Sequence, residues 1–169
     1  FTLHGFTISG NYGFDGPATD ELVVADLAAL REQLKTDLPL IRLRQVHGAN
    51  IVDAETAYRG GAGGDGWNSR PEIEGDALVS SGFPALLGVL SADCVPILLA
   101  STDTGQVAAI HAGWRGLASG VVQRAVKHLA ASGGEPGAIR CAIGPAICYD
   151  CYDVGDDVAD RFPESVDPL

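Results

Sequence analysis

The order of apolar and polar positions divides the chain into short segments whose period changes from two to about 3.6 and back. Residues 1–9, "FTLHGFTIS", alternate and predict a strand, whereas "DELVVADLAALREQL", opening behind a Thr19/Asp20 cap, carries apolar residues at helical spacing. Six β-rich pieces follow: "LIRLRQV", "NIVDAE", "DALVSS", "ALLGVL", "VPILLA" and "QVAAIHA". Several are continuous apolar runs, the pattern of strands covered on both faces, so helices must cover them. "RQVHGANIV" reads as two of these strands joined by a Gly-Ala-Asn turn, with His47 at the tip of a hairpin. "LASGVVQRAVKHLAAS" predicts a helix that begins after a turn at Gly116 and ends before Gly133-Gly134. A strand, "IRCAI", and a last helical stretch around "VGDDVADRF" complete a mixed α/β sandwich. The glycine-rich stretch over residues 58–75 reads as a mobile loop, not a domain linker, because apolar segments resume on both sides.

With 169 residues and 46% hydrophobic content the chain can bury one core, and a single domain is expected. A net charge of −11 argues against nucleic acid as a partner, since a phosphate backbone is held by concentrated positive charge. The most apolar run, "FPALLGVLSADCVPILLA", is interrupted by Asp93 and Pro96, and no signal pattern opens the chain. No membrane association and a cytoplasmic location are therefore expected. The chain contains no methionine and stops soon after a helix exit, which leads us to expect a piece of a longer protein.

Chemistry concentrates where polar residues close the apolar strands: His47 after "LIRLRQV", Cys94 after "LLGVLSAD" and His111 after "QVAAI". Two imidazoles and a thiolate suit Zn²⁺ or copper, and three protein ligands leave a position open for water or substrate. Taken singly, His47 reads equally as a hydrogen-bonded turn residue and Cys94 as a small buried apolar one. "HAGWRG" is more telling, because it leaves a strand, turns through Gly113 and enters a helix, displaying a histidine, an indole and a guanidinium around one turn. Arg115 there has the planar donor fork that clamps phosphate or carboxylate. Asp76 and Asp93 are candidates for orienting a histidine or accepting a proton, with a plain turn or cap role the stronger expectation for Asp76. Cys148 and Cys151 form a C-x-x-C without a second half to complete a zinc knuckle, and a structural role is expected for them. His128 is expected to face solvent, and His4 has no ligand-like company.

Taken together, "RQVHGANIV", "GDALVS", "LGVLSADCVPILLA", "AAIHAGWRGLASGVV" and "CAIGPAICYDCYDVGDDVADRF" resemble, in order, the YfiH family, also called multicopper polyphenol oxidase or laccase-domain proteins and related to FAMIN. The resemblance implies a four-layer α/β/β/α sandwich with mixed sheets, built as one domain over residues 1–169 that lacks the family's C-terminal segment. It implies a metal held by His47, Cys94 and His111, and zinc-dependent purine nucleoside chemistry. That chemistry covers phosphorolysis of adenosine, inosine, guanosine or 5'-methylthioadenosine and deamination of adenosine. Purine nucleosides and phosphate are then the partners of a monomer or homodimer. Cys94, Asp93 and His111 become the catalytic candidates, and Arg44, Gln45 and Arg115 the candidates for holding substrate or phosphate. Some members are described instead as copper-dependent laccases, and a role in peptidoglycan editing is attached to the family. The chain departs from the family pattern in "FTISGNYG", where an arginine and two glycines are usual, and in "YDVG", where the acid is one methylene shorter.

Elementary chemistry ranks these readings. A metal-bound water of lowered pKa suits attack on purine C6, and phosphorolysis needs cationic donors that Arg44 and Arg115 supply. Reduction of O₂ by several coupled coppers asks for more histidines than the four present, so copper oxidation ranks lower. A metal-free Cys94/His111 hydrolase is the remaining enzymatic alternative.

Overall fold

The computed structural model describes residues 31–64 and 72–162. The strand expected over residues 1–9, with His4, lies outside them, as does most of the helix expected from Asp20; residues 31–34 are helical. In chain order the elements are β1 (Leu40–Ile41), β2 (Ile51–Asp53), α1 (Ala54–Ala57), β3 (Gly63–Gly64), β4 (Ala77–Ser80), β5 (Leu86–Leu87), β6 (Val95–Ser101), β7 (Val107–Ala112), α2 (Trp114–Ala118), α3 (Val121–Ala131), β8 (Ile139–Ile143) and α4 (Asp156–Ala159).

Among the described residues two mixed sheets result. A three-stranded sheet has the order β3-β1-β5, antiparallel on one side of β1 and parallel on the other; a five-stranded sheet has the order β2-β4-β7-β6-β8, parallel only between β2 and β4. The alternation of side chains along β4 explains how both are held. Ala77 and Val79 point with Ile97, Leu99, Ala108 and Ile110 to one core, which Val121, Ala125 and Leu129 of α3 close at i, i+4 and i+8. Leu78 points the other way, into a second core with Ile41, Leu43, Ala54, Ala57 and Ala62. Burying a side chain such as Leu129, which is fully enclosed, contributes about 2–3 kcal/mol. The described layers thus run helix, sheet, sheet, in keeping with the expected mixed α/β sandwich.

Three expectations change. "RQVHGANIV" is not a hairpin: β1 pairs with Gly63-Gly64 and Leu86-Leu87 while β2 pairs with Ala77–Ser80, so the loop carrying His47 crosses from one sheet to the other. Within it Arg44 runs beside Glu74 as an isolated parallel bridge. The helix after the "HAGWRG" turn starts earlier, at Trp114, and is broken at Gly120, whose φ of +77° belongs to the left-handed region that glycine enters without strain. The glycine-rich stretch is ordered at its start, where residues 58–62 form a wide helical turn and Gly63-Gly64 joins the sheet; residues 65–71 lie outside the described residues.

Candidate metal and active site

The site grows out of antiparallel register. β6 and β7 run antiparallel with Val95 opposite Ala112, which sets Cys94, at the entrance to β6, beside the end of β7. β4 and β7 are antiparallel with Ala77 opposite Ile110, and one step further the His111 N–H donates to the Asp76 carbonyl at 2.7 Å. Asp76 and His111 therefore face each other across two strands, and their side chains meet at 2.9 Å between Oδ1 and Nδ1. Cys94 thus precedes a strand instead of following one, and His111 sits inside β7; the antiparallel pairing of the consecutive strands β6 and β7 brings them together.

Asp76 is fully buried and does more than face a histidine. Its Oδ1 also accepts from the His47 N–H at 2.9 Å, and its Oδ2 accepts from the N–H groups of Gly48 at 2.7 Å and Val46 at 3.3 Å. The expectation of a plain turn or cap aspartate is corrected: one carboxylate organises two of the three candidate ligands. An ionised carboxylate can only accept, so Nδ1 of His111 carries the proton and Nε2 presents its lone pair, the arrangement by which metal-binding imidazoles are oriented. His47 is held at φ +58°, a left-handed conformation that costs a non-glycine residue about 1–2 kcal/mol. The three consecutive N–H groups gathered by Asp76 offset that cost and define where the imidazole is presented.

The ligand atoms of His47, Cys94 and His111 lie within 4.8 Å of one another. The two imidazoles meet edge to face, with ring centroids 4.8 Å apart and planes at 83°. His111 is buried, Cys94 half-buried and His47 exposed, so the cluster opens to solvent on the His47 side. Gly113 forms its floor. A Cβ there would stand 3.0 Å from Cδ2 of His47 and 3.1 Å from Sγ of Cys94, filling the space between the donors. Gly113 itself has an ordinary extended conformation, φ −73°, so glycine serves here by leaving room and not by its backbone freedom. Gly116 likewise permits close approach: a Cβ would lie 2.7 Å from the Gly48 carbonyl oxygen, so α2 can press against the His47 loop only without one. Two nitrogens and one sulfur converging on a pocket kept free of carbon fit a thiophilic divalent cation with an open position. Burial pushes the Cys94 thiol up, and the negative charges of Asp93 and Asp76 push it the same way. A cation brought to the cluster opposes both effects.

The other candidates are placed differently. Gln45 donates from Nε2 to the Leu90 carbonyl at 2.7 Å and accepts at Oε1 from the Leu90 N–H at 2.8 Å, so its amide ties the His47 loop to the chain entering Ser91–Cys94. Arg44 forms an exposed ion pair with Glu74. Arg115, exposed on α2, lays its guanidinium over the Trp114 ring at 4.1 Å and has no ion pair among the described residues. Asp93 is exposed next to Cys94, and its carbonyl accepts from the Ile147 N–H at 3.0 Å. Cys148 and Cys151 are exposed, not packed as structural cysteines would be. His128 is half-buried on α3. Sequence reasoning underrated Asp76, for which the only local signal was its position directly before the short apolar run over residues 77–79.

The fold and site together define a mixed α/β protein with a His/Cys/His cluster at the junction of two sheets. Residues 4–168 match the family model described as multi-copper polyphenol oxidoreductase laccase, and the chain belongs to that family. It is 40% identical over 121 residues to a purine nucleoside phosphorylase of Deinococcus radiodurans, a match covering 72% of this chain and 43% of that protein. It is 36% identical over 149 residues to adenosine deaminase RL5 of an unknown prokaryotic organism, covering 86% of this chain and 56% of the relative. The crystal structure of YlmD from Geobacillus stearothermophilus superposes with a TM-score of 0.78 at 32% identity, covering 98% of this chain and 64% of that one. The chain spans about half the length of the curated relatives it matches. Among the described residues no helix is long and apolar enough to cross a membrane.

Proposed function

We propose that the protein is a zinc-dependent purine nucleoside enzyme, acting by phosphorolysis of adenosine, inosine, guanosine or 5'-methylthioadenosine and by deamination of adenosine. The observation that carries the reading is the convergence of His47, Cys94 and His111 within 4.8 Å over the Gly113 floor. It is supported by relatives named for both activities. When bound by these three residues, zinc supplies a Lewis acid and a water acidic enough to react near neutral pH.

The chain's own residues divide the remaining work. Asp76 fixes the tautomer of His111 and the backbone of His47, so both imidazoles are oriented before any substrate arrives. Asp93, exposed beside Cys94 in sequence, would take or return a proton at the mouth of the cluster. Arg115 offers an ion-pair-free guanidinium among the described residues, and in a chain of net charge −11 such a cation is the natural point of attachment for phosphate. Gln45 contributes by holding the loop wall, and Arg44 reaches an anion only by leaving Glu74.

Two alternatives rank lower. Copper oxidation of phenols needs several coupled coppers, while the described residues form one three-donor cluster. A metal-free Cys94 nucleophile needs a thiolate, and burial with two neighbouring carboxylates favours the thiol. Incubation with adenosine, with and without phosphate, tests the proposal. Adenine formed only with phosphate marks phosphorolysis and inosine formed regardless marks deamination; neither product overturns it. His47→Ala is expected to abolish whichever product appears, and activity that survives a chelator removes the metal from the reading.

A further inference from the structure

Cys148 and Cys151 take no part in the cluster above, and their surroundings suit another chemistry. Tyr149–Cys151 is a single tight helical turn capped by Cys148, closed by the Cys151 N–H donating to the Cys148 carbonyl at 3.1 Å. A turn of that pitch sets residues three apart on the same side, and the two sulfurs share a hydrogen bond at 2.9 Å. Both residues are exposed. Among the described residues no third histidine, cysteine or carboxylate joins them in a metal-sized cluster.

From this geometry we infer that Cys148 and Cys151 are a dithiol exchange site, a second reactive site of the chain whose substrate is an accessible aliphatic disulfide. A disulfide bond of about 2.05 Å needs the sulfurs to approach by less than 1 Å, a movement that side-chain rotation supplies in an exposed turn. The two thiols are unequal. The sulfur contact with Cys151, and after it the backbone N–H groups of Cys151 and Asp150, hold Cys148 below the usual thiol range, while the same contact pushes Cys151 up. Cys148 also stands at the cap position of the turn, at the end where backbone N–H groups point outward, and is the attacking sulfur. Its thiolate attacks one sulfur of the disulfide RSSR, forming Cys148–S–SR and releasing RS⁻. Cys151 gives up its proton and attacks Cys148 Sγ, forming the Cys148–Cys151 bond and expelling the second RS⁻. Two protein thiols are oxidised, one external disulfide is reduced, and two protons are left to protonate the two thiols released.

Trypsin cleavage after Arg140 and Arg161 frees a peptide containing Cys141, Cys148 and Cys151, which makes the test internally controlled. Cys141 is also exposed but lies on β8, without the paired turn. The protein is equilibrated with oxidised glutathione, blocked with iodoacetamide, digested and weighed; a reduced sample is treated alongside. The expected result is loss of two alkylatable thiols, a peptide lighter by two hydrogens in place of the two blocking groups, and full recovery after reductant. Cleavage after Tyr149 should leave the two halves joined. Cys151→Ser is expected to stop at glutathione attached to Cys148, and Cys148→Ser to form no loop; retention of the wild-type melting temperature in both shows that the fold is intact. Three alkylated thiols after oxidant, or a bond from Cys141 to either partner, overturns the inference. Cys148 left free of glutathione in Cys151→Ser overturns the assigned order of attack.

Discussion

Replacement of Asp76 tests the organisation of the site most directly. In Asp76→Ala the N–H groups of Val46, His47 and Gly48 and Nδ1 of His111 all lose their acceptor at once. An orphaned donor costs about 1–3 kcal/mol. Val46 and His47 are exposed and their amides can turn to water, so the lower end applies and the sum is about 4 kcal/mol. Against a typical domain stability of about 5–15 kcal/mol that is a large loss. Asp76→Asn has nearly the same shape but keeps one accepting oxygen and turns an NH₂ toward donors. It should lose less stability yet weaken zinc binding roughly 10–100-fold, since the imidazole is no longer fixed in its tautomer. Urea denaturation of the metal-stripped protein measures the first effect as a lower midpoint at unchanged slope, and competition with a chromogenic chelator measures the second. Wild-type zinc affinity in Asp76→Asn, or wild-type stability in Asp76→Ala, would refute the role assigned to this carboxylate.

Other substitutions and conditions test separate parts of the structure. Gly113→Ala places a methyl 3.0–3.1 Å from His47 and Cys94 and should lower zinc affinity at least tenfold, about 1.4 kcal/mol, while urea denaturation of the metal-free form changes little. Gly116→Ala drives a methyl to 2.7 Å from the Gly48 carbonyl; separation of α2 from the His47 loop should appear as faster amide hydrogen exchange at residues 46–48. Leu129→Ala empties a fully buried position between α3 and the five-stranded sheet and should cost about 2–5 kcal/mol in urea denaturation, without altering zinc affinity at saturating folded protein. Zinc affinity should rise with pH. The Cys94 thiol is held above its ordinary value of 9.0, so below that pH binding displaces a proton from it, and apparent affinity grows about tenfold per pH unit. A titration repeated at several pH values, with proton release followed in weak buffer, checks the slope, and Cys94→Ser should flatten it.

Much of the candidate site is legible along the chain because its candidate ligands interrupt apolar runs. A histidine inside "QVAAIHA", a cysteine directly before "VPILLA" and the first glycine of "HAGWRG" are local signals, and all three meet at one cluster, while Gly116 packs against the Gly48 carbonyl of the His47 loop. Hydrophobic period also marks "IRCAI" as a strand, and it places the helical face of Val121, Ala125 and Leu129. The hairpin around His47 fails for a physical reason. A short apolar run reads the same whether its partner is the next strand or one far away, and the partners of β1 and β2 are chosen by different sheets.

The sequence by itself determined which residue types are available, which stretches favour strand or helix, and that several strands must be covered on both faces, since all of these follow from local period and composition. Only the tertiary structure decided how the pieces serve chemistry. Antiparallel register set Asp76 opposite His111, and a crossing loop delivered three N–H groups to the same carboxylate. The same assembly turned Gln45 from a free amide into a tie to Leu90, and left Cys148 and Cys151 paired in the open. Such roles depend on distances between residues far apart in the chain, and no periodicity encodes a distance across strands.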